Sequence, residues 1–244
     1  MTKKEELLVS PVVTKNIFIK LSSNSSMFDN IISIEDPSVF MLANETASLF
    51  NEALVPAENK SMRFDVNKAM EVIKKHNNDG GNKLSVTNYT DITKSTSNSK
   101  VSVMTNLVLD TIKTVLGIVL AKEPASQLQS AIEGAYVDLN AVADSAWIFW
   151  EKKQQKKTTY QYNITFSVEA GPTGLVLLTC PMGLTINVDK EYERVLFITL
   201  KDTETYSCRI QALTTAQLAK PTLKSAEAQN VLSALVSDGP KRIE

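Results

Sequence analysis

Residues 160–169 read YQYNITFSVE and alternate without a break. Tyr160, Tyr162, Ile164, Phe166 and Val168 are apolar or aromatic, whereas Gln161, Asn163, Thr165, Ser167 and Glu169 are polar. Successive strand side chains point to opposite faces, so this stretch is a β-strand with one apolar and one polar side. Ten residues at a rise of about 3.3 Å reach roughly 33 Å. A strand that crosses a bilayer needs about 9–11 residues of this pattern. A long strand in a water-soluble sheet has the same look, and by period alone it is the commoner case.

The surroundings are strand-rich. Leu175 to Cys180, Thr185 to Val188, Arg194 to Leu200 and Tyr206 to Leu213 read as further strands. Turn signals separate them at 171–174 (GPTG), Pro181-Met182-Gly183, Asp189-Lys190 and Lys201-Asp202. The run RVLFITL is apolar at nearly every position, as a central strand covered on both faces is. Tyr206, Cys208, Ile210 and Ala212 alternate with Thr205, Ser207, Arg209 and Gln211. Upstream, NIFIKLS (16–22) and 84–93 are strand-like. Asp36-Pro37 and Asp65 cap two helices, the second running to His76. Met104, Val108, Ile112, Val115 and Val119 share one face of a third helix over 102–122. Pro124 is expected to break it, and a fourth begins near Ser126. Strands towards both ends with helices between them predict a single α/β domain of α+β type. Its central, mostly antiparallel sheet lies between two helical layers.

Composition narrows the function. The 244 residues carry a net charge of −1, which is not the footprint of a nucleic-acid binder. No apolar run has the form of a signal peptide or a membrane-spanning helix. The two cysteines, Cys180 and Cys208, lie in apolar segments and read as buried thiols. An enzyme is poorly supported. The single histidine, His76, ends a helix beside Lys74 and Lys75, where it suits the helix dipole. There is no zinc-ligand spacing and no phosphate-loop lysine, so no catalytic, metal or cofactor residues are assigned. AWIFW (146–150) holds both tryptophans and is followed by Lys152, Lys153, Lys156 and Lys157. Such a composition suits a membrane-interface anchor, and equally the edge of a core beside a solvated loop. Polar rows on two strands also sit oddly under helical cover, because buried polar groups need partners.

In their order and spacing, KVSVM (100–104), TVLGIVL (114–120), AWIFW (146–150), YQYNITFSV (160–168), VLFITLKD (195–202) and QALT (211–214) resemble the cytolytic δ-endotoxins, the Cyt family. The resemblance spans about 16–218. It implies a cytolysin domain over 16–220, with tails at 1–15 and 221–244. It also implies binding to membrane phospholipids, self-association into oligomers and permeabilisation, by a pore or by detergent-like disruption, in some members after trimming at both ends. Tyr160, Tyr162, Ile164, Phe166, Val168, Leu196, Phe197 and Ile198 are then the expected membrane-insertion residues. Gln161, Asn163, Thr165 and Ser167 are expected to line a pore, and Trp147 and Trp150 to lie at the membrane interface. Lys15 and Lys220 are the expected trimming sites. The helices at 102–122 and 126–145 are expected to move aside. A homodimer in water and action outside the producing cell are further expectations. The alternative is a non-lytic lipid- or glycan-binding module on the same fold.

Overall fold

The alternating runs form a sheet of four long strands, with helices where the caps predict them. The computed structural model describes residues 12–14, 17–20, 31–32, 34–56, 62–96, 109–113, 118–120, 122–137, 149–154, 157–170, 175–188, 206–220, 226–236 and 239–243. In chain order the elements are β1 (Val12–Thr14), β2 (Ile17–Lys20), β3 (Ile31–Ile32), α1 (Pro37–Leu49), a 3-10 turn (Phe50–Ala53), β4 (Leu54–Pro56), β5 (Met62–Phe64), α2 (Val66–Asn78) and β6 (Ser85–Thr96). There follow α3 (109–113), β7 (Ile118–Leu120), α4 (Lys122–Val137), β8 (Phe149–Gln154), β9 (Lys157–Ala170), β10 (Val176–Val188), β11 (Tyr206–Leu218), α5 (Ala226–Val236) and β12 (Lys241–Arg242).

The main sheet has the order β12-β6-β11-β10-β9-β2-β3, and β8 also pairs with β9. On the outer side of β9, β8 lies along residues 157–162 and β2 along 165–168. Every pairing in this sheet is antiparallel except that of β12 with β6. This is the single α+β domain with a mostly antiparallel sheet that the pattern predicts.

Both predicted caps form. The Asp36 carboxylate accepts hydrogen bonds from Ser38 N (2.9 Å) and Ser38 Oγ (2.6 Å), with Pro37 starting α1. Asp65 accepts from Lys68 N at 3.0 Å to start α2. Each satisfies a donor that an uncapped helix would leave bare. Gly80, at φ +83°, turns the chain after α2 where a side chain would be strained. Asn77 then ties the exit to β6, donating to Leu84 O and accepting from Leu84 N, both at 2.9 Å.

Several elements depart from expectation. The predicted break at Pro181-Met182-Gly183 is absent, and β10 runs unbroken through it. Proline removes a ladder donor and is normally kept out of central strands. Here the pairing of β10 with β11 passes from Thr179↔Thr215 to Met182↔Ala212, so Pro181 falls in an interruption of that ladder. The helix predicted over 102–122 does not continue to its end. Ile118–Leu120 is a strand paired in parallel with Val12–Thr14. Pro124 does not separate two helices, because it lies in the first turn of α4, where its missing N–H is no loss. The tail predicted from 221 contains α5, which packs against β11, β6 and β10, and β12, which joins the sheet. The predicted strand at 194–200 and its hairpin turn lie outside the described residues.

Candidate functional site: a sheet with two faces

Residues directly opposite across paired strands share a face, so the register sorts β9, β10 and β11 into two surfaces. On one face, Ile164 lies beside Met182 and Ala212, Phe166 beside Cys180, and Val168 beside Leu178 and Ala216. All of these are buried. Among the described side chains of these three strands, Thr214 carries the only hydroxyl on this face. Cys180 and Cys208 are buried here as thiols outside any disulfide, and burial pushes the Cys180 thiol up to about 12.

The other face is polar in rows that run across the strands. Asn163, Gly183, Gln211 and Asp91 form one row. Ser167, Thr179 and Thr215 form a second, and Glu169, Leu177 and Gln217 a third. Asn163, Thr165, Ser167, Thr179, Gln211, Thr215 and Gln217 are buried. Polar groups out of water need partners, and most of these have them within the layer. Ser167 Oγ and Thr179 Oγ1 are 2.8 Å apart. Thr215 Oγ1 donates to Thr179 O at 3.3 Å. Arg209 grips Asp91 through two bonds of 2.8 Å, and Gln211 Nε2 donates to the same carboxylate at 3.3 Å.

The polar face is covered by the N-terminal elements. Leu177 packs with Val39, Leu42, Ala43 and Ala47 of α1. Leu213 packs with Phe50, Phe64, Val66, Ala69 and Ile73 from the 3-10 turn, β5 and α2. Between these apolar seats the contact is by hydrogen bonds. Phe64 N donates to Asn163 Oδ1 at 3.1 Å, and Gln217 Nε2 to Thr46 Oγ1 at 2.6 Å. Gly183 allows this approach, because a Cβ there would lie 2.8 Å from Phe64 Cβ and 3.1 Å from Asn163 Oδ1. Gly183→Ala should therefore overpack the junction and cost about 1–3 kcal/mol. Thermal melts followed by circular dichroism check this, and an unchanged midpoint would contradict it.

The Arg209 fork holds the Asp91 carboxyl below the usual carboxylate range. A depressed folded value means that the linked stability is present above the unfolded value of about 3.9 and is lost as pH falls through the lower folded value. Asp91→Asn should thus lose less stability than the parent chain between pH 7 and pH 3, read from urea midpoints. Asp36, lowered by Lys220 and Ser38, acts in the same direction, but it is exposed and its pairing is screened.

The remaining candidate residues are spread more widely. Tyr160, Gln161 and Tyr162 lie in β9 and pair with Glu151, Trp150 and Phe149 of β8. Trp147, Leu196, Phe197, Ile198 and Lys15 lie outside the described residues. Lys220 pairs with Asp36 beneath the start of α1, and Pro221 follows it. His76 lies in the last turn of α2, with Nε2 3.1 Å from Asn82 O. Among the described residues, no three metal-ligating side chains gather, and no helix is long and apolar enough to cross a membrane. Thr179, Gly183, Thr215 and Gln217 were not singled out from the sequence. Their signal, polar or small residues at every second position of β10 and β11, is masked by Leu177 and Leu213.

The chain matches the model of the Bacillus thuringiensis toxin family over residues 9–235. It belongs to that family. It is 37% identical to a Type-1Ba cytolytic delta-endotoxin of Bacillus thuringiensis subsp. neoleoensis, over 82% of this chain and 76% of that one. It is 33% identical to a Type-1Aa cytolytic delta-endotoxin of subsp. morrisoni, over 89% and 87%. The crystal structure of the activated Cyt2Ba monomer of subsp. israelensis superposes with a TM-score of 0.59 at 28% identity, covering 75% of this chain and 94% of that one. This member of the Bacillus thuringiensis toxin family is a cytolytic toxin, not an enzyme, and the matched span extends into the segment predicted to be a tail.

Proposed function

We propose that the toxin permeabilises phospholipid bilayers by exposing β9, β10 and β11, with the Ile164–Phe166–Val168 face toward lipid and the Asn163–Thr165–Ser167 face toward water. The observation that carries this reading is the segregation of the two faces across three strands of 13 or 14 residues. Each exceeds the roughly 9–11 residues that a tilted strand needs to cross the hydrocarbon. In lipid the backbone must be satisfied by closure of the sheet, so several copies must contribute strands. The polar face has to lose its cover first. The cover held by hydrogen bonds is α1 with β5, so these elements are assigned this movement, while the helices at 102–122 and 126–145 are proposed to move aside so that the buried apolar face can meet lipid. Gln161 continues the polar row in sequence, and Tyr160 and Tyr162 the apolar one. Trp147 and Trp150 are proposed for the interface. The toxin then acts from outside its target cell, and copies self-associate there to close the sheet.

Trimming is proposed after Lys15. Lys220 is a poorer site, because the bond after it leads to proline and its ammonium is held by Asp36.

Release of a trapped dye from phosphatidylcholine vesicles tests the reading. Release should occur, and a polarity-sensitive dye on Thr165→Cys should report water while one on Ile164→Cys reports lipid. Co-sedimentation without release, before and after trimming, would leave a binding module and end the proposal.

A further inference from the structure

The two outer edges of the main sheet differ in one respect. β8 at one edge pairs, among the described residues, with β9 alone. β6 at the other is 12 residues long, and among the described residues its outer side carries only the two-residue strand Lys241–Arg242. Long exposed edges invite pairing with another chain, and proteins commonly block them. The block here is built from the last residues of the described chain. Gly239, at φ +71°, turns the chain after α5, with its N–H donating to Val236 O at 3.2 Å. Lys241 then pairs with Asn88 and Arg242 with Tyr89. Ile243 N donates to Tyr89 O at 2.8 Å, and Thr90 Oγ1 donates to Ile243 O at 2.7 Å. Arg242 also adds to the positive field on Asp91.

We propose that the outer edge of β6 is the assembly surface of this toxin, that its occupant is β8 of a second copy, and that β12 holds the place of that strand in the single chain. Strand direction is the main argument. From β6 to β8 the sheet makes four antiparallel steps, through β11, β10 and β9, so β8 runs parallel to β6. When copies are arranged around an axis in one orientation, β8 meets the next copy's β6 in parallel. The pairing of β12 with β6 is parallel as well, the one such pairing in a sheet whose other pairings are antiparallel. Charge is the second argument. β12 brings Lys241-Arg242 to this edge, and β8 carries Lys152-Lys153, so either strand sets two successive cations along it. A strand-to-strand contact between unlike edges is heterologous and repeats from copy to copy, which is what closing a ring requires.

The proposal rests on the permeabilising reading only for its purpose, and its test needs no membrane. A chain ending at Asp238 lacks the block. It should reach larger assemblies with rising concentration in sedimentation velocity than the full chain does over the same range. Setting Lys152 against Asn88 in the place of Lys241 gives the register. In the shortened background, Asn88→Cys and Lys152→Cys chains should form a mixed disulfide when oxidised together, several-fold faster than either forms one alone. Circular dichroism confirms that each variant is folded. A shortened chain that forms no larger species than the full chain overturns the proposal, as does preferential pairing of Asn88→Cys with itself, which marks a symmetric edge contact. Dye release measured on the same samples separates the two readings. Release without the mixed disulfide removes this surface and leaves cytolysis standing, and the disulfide without release does the reverse.

Discussion

Truncation of Phe166 to alanine should lower the stability of the folded toxin by about 3–5 kcal/mol, the largest loss expected from a single side chain in β9. Phe166 has no exposed surface. It sits opposite Cys180 of β10 and Ile19 of β2, flanked along its own face by Ile164 and Val168. Two strands fix its position, so the backbone around it has little room to close the cavity, and the cost falls at the upper end for a buried aromatic. Against a total of about 5–15 kcal/mol for an ordinary domain, that is a large share. Urea unfolding at neutral pH reads it directly. A loss under about 1 kcal/mol would mean that this face is not packed as described.

A carboxylate placed at either of two adjacent positions should give opposite outcomes on membranes. Ser167→Asp and Phe166→Asp each bury an unpaired charge in water, because Ser167 and Phe166 are both fully buried. Both should cost several kcal/mol, and both should loosen the folded chain. Ser167→Asp adds charge to the row with Thr179 and Thr215, beneath the N-terminal cover. Once the cover leaves, that position faces water, so the variant should release dye at least as fast as the parent chain. Phe166→Asp puts the same charge where lipid is expected, and release should be abolished. Equal rates for the two variants would show that the faces are not sorted between lipid and water. Residual fold in each, followed by circular dichroism, separates loss of release from loss of structure.

Much of this arrangement was legible in the sequence where local chemistry and tertiary structure agree. The alternation in YQYNITFSVE set the two faces of β9, and Asp36, Pro37 and Asp65 marked the starts of α1 and α2. Reading failed where distant contacts overrode local signals. Pro181 and Gly183 form a turn signal, yet β9 and β11 hold the chain extended through them, and Gly183 serves the approach of Phe64. The polar face of β10 was hidden because Leu177 seats α1 and breaks the alternation. β11 was ended at Leu213, whereas Thr214 to Leu218 continue it. Ile118–Leu120 fits a helical stripe as well as a strand, and only its pairing with Val12–Thr14 decides. The two residues of β12 are too few to carry any period.

The ribbon formed by β9 and β10 also bears on the order in which the molecule is made and taken apart. Its register runs in step from Val176↔Ala170 to Val188↔Thr158 without a slip. All of these pairs join residues from one short stretch of chain, whereas β11 meets β6 only by bringing Tyr206 back to Thr96. Closing a short loop costs less entropy than closing a long one, so this hairpin is far less demanding to form than the pairing of β11 with β6. Its amides should be among the last to exchange with deuterium, and it should outlast the helices when the protein opens. A toxin that must change its surroundings without losing its strands carries them as a unit that can survive the change.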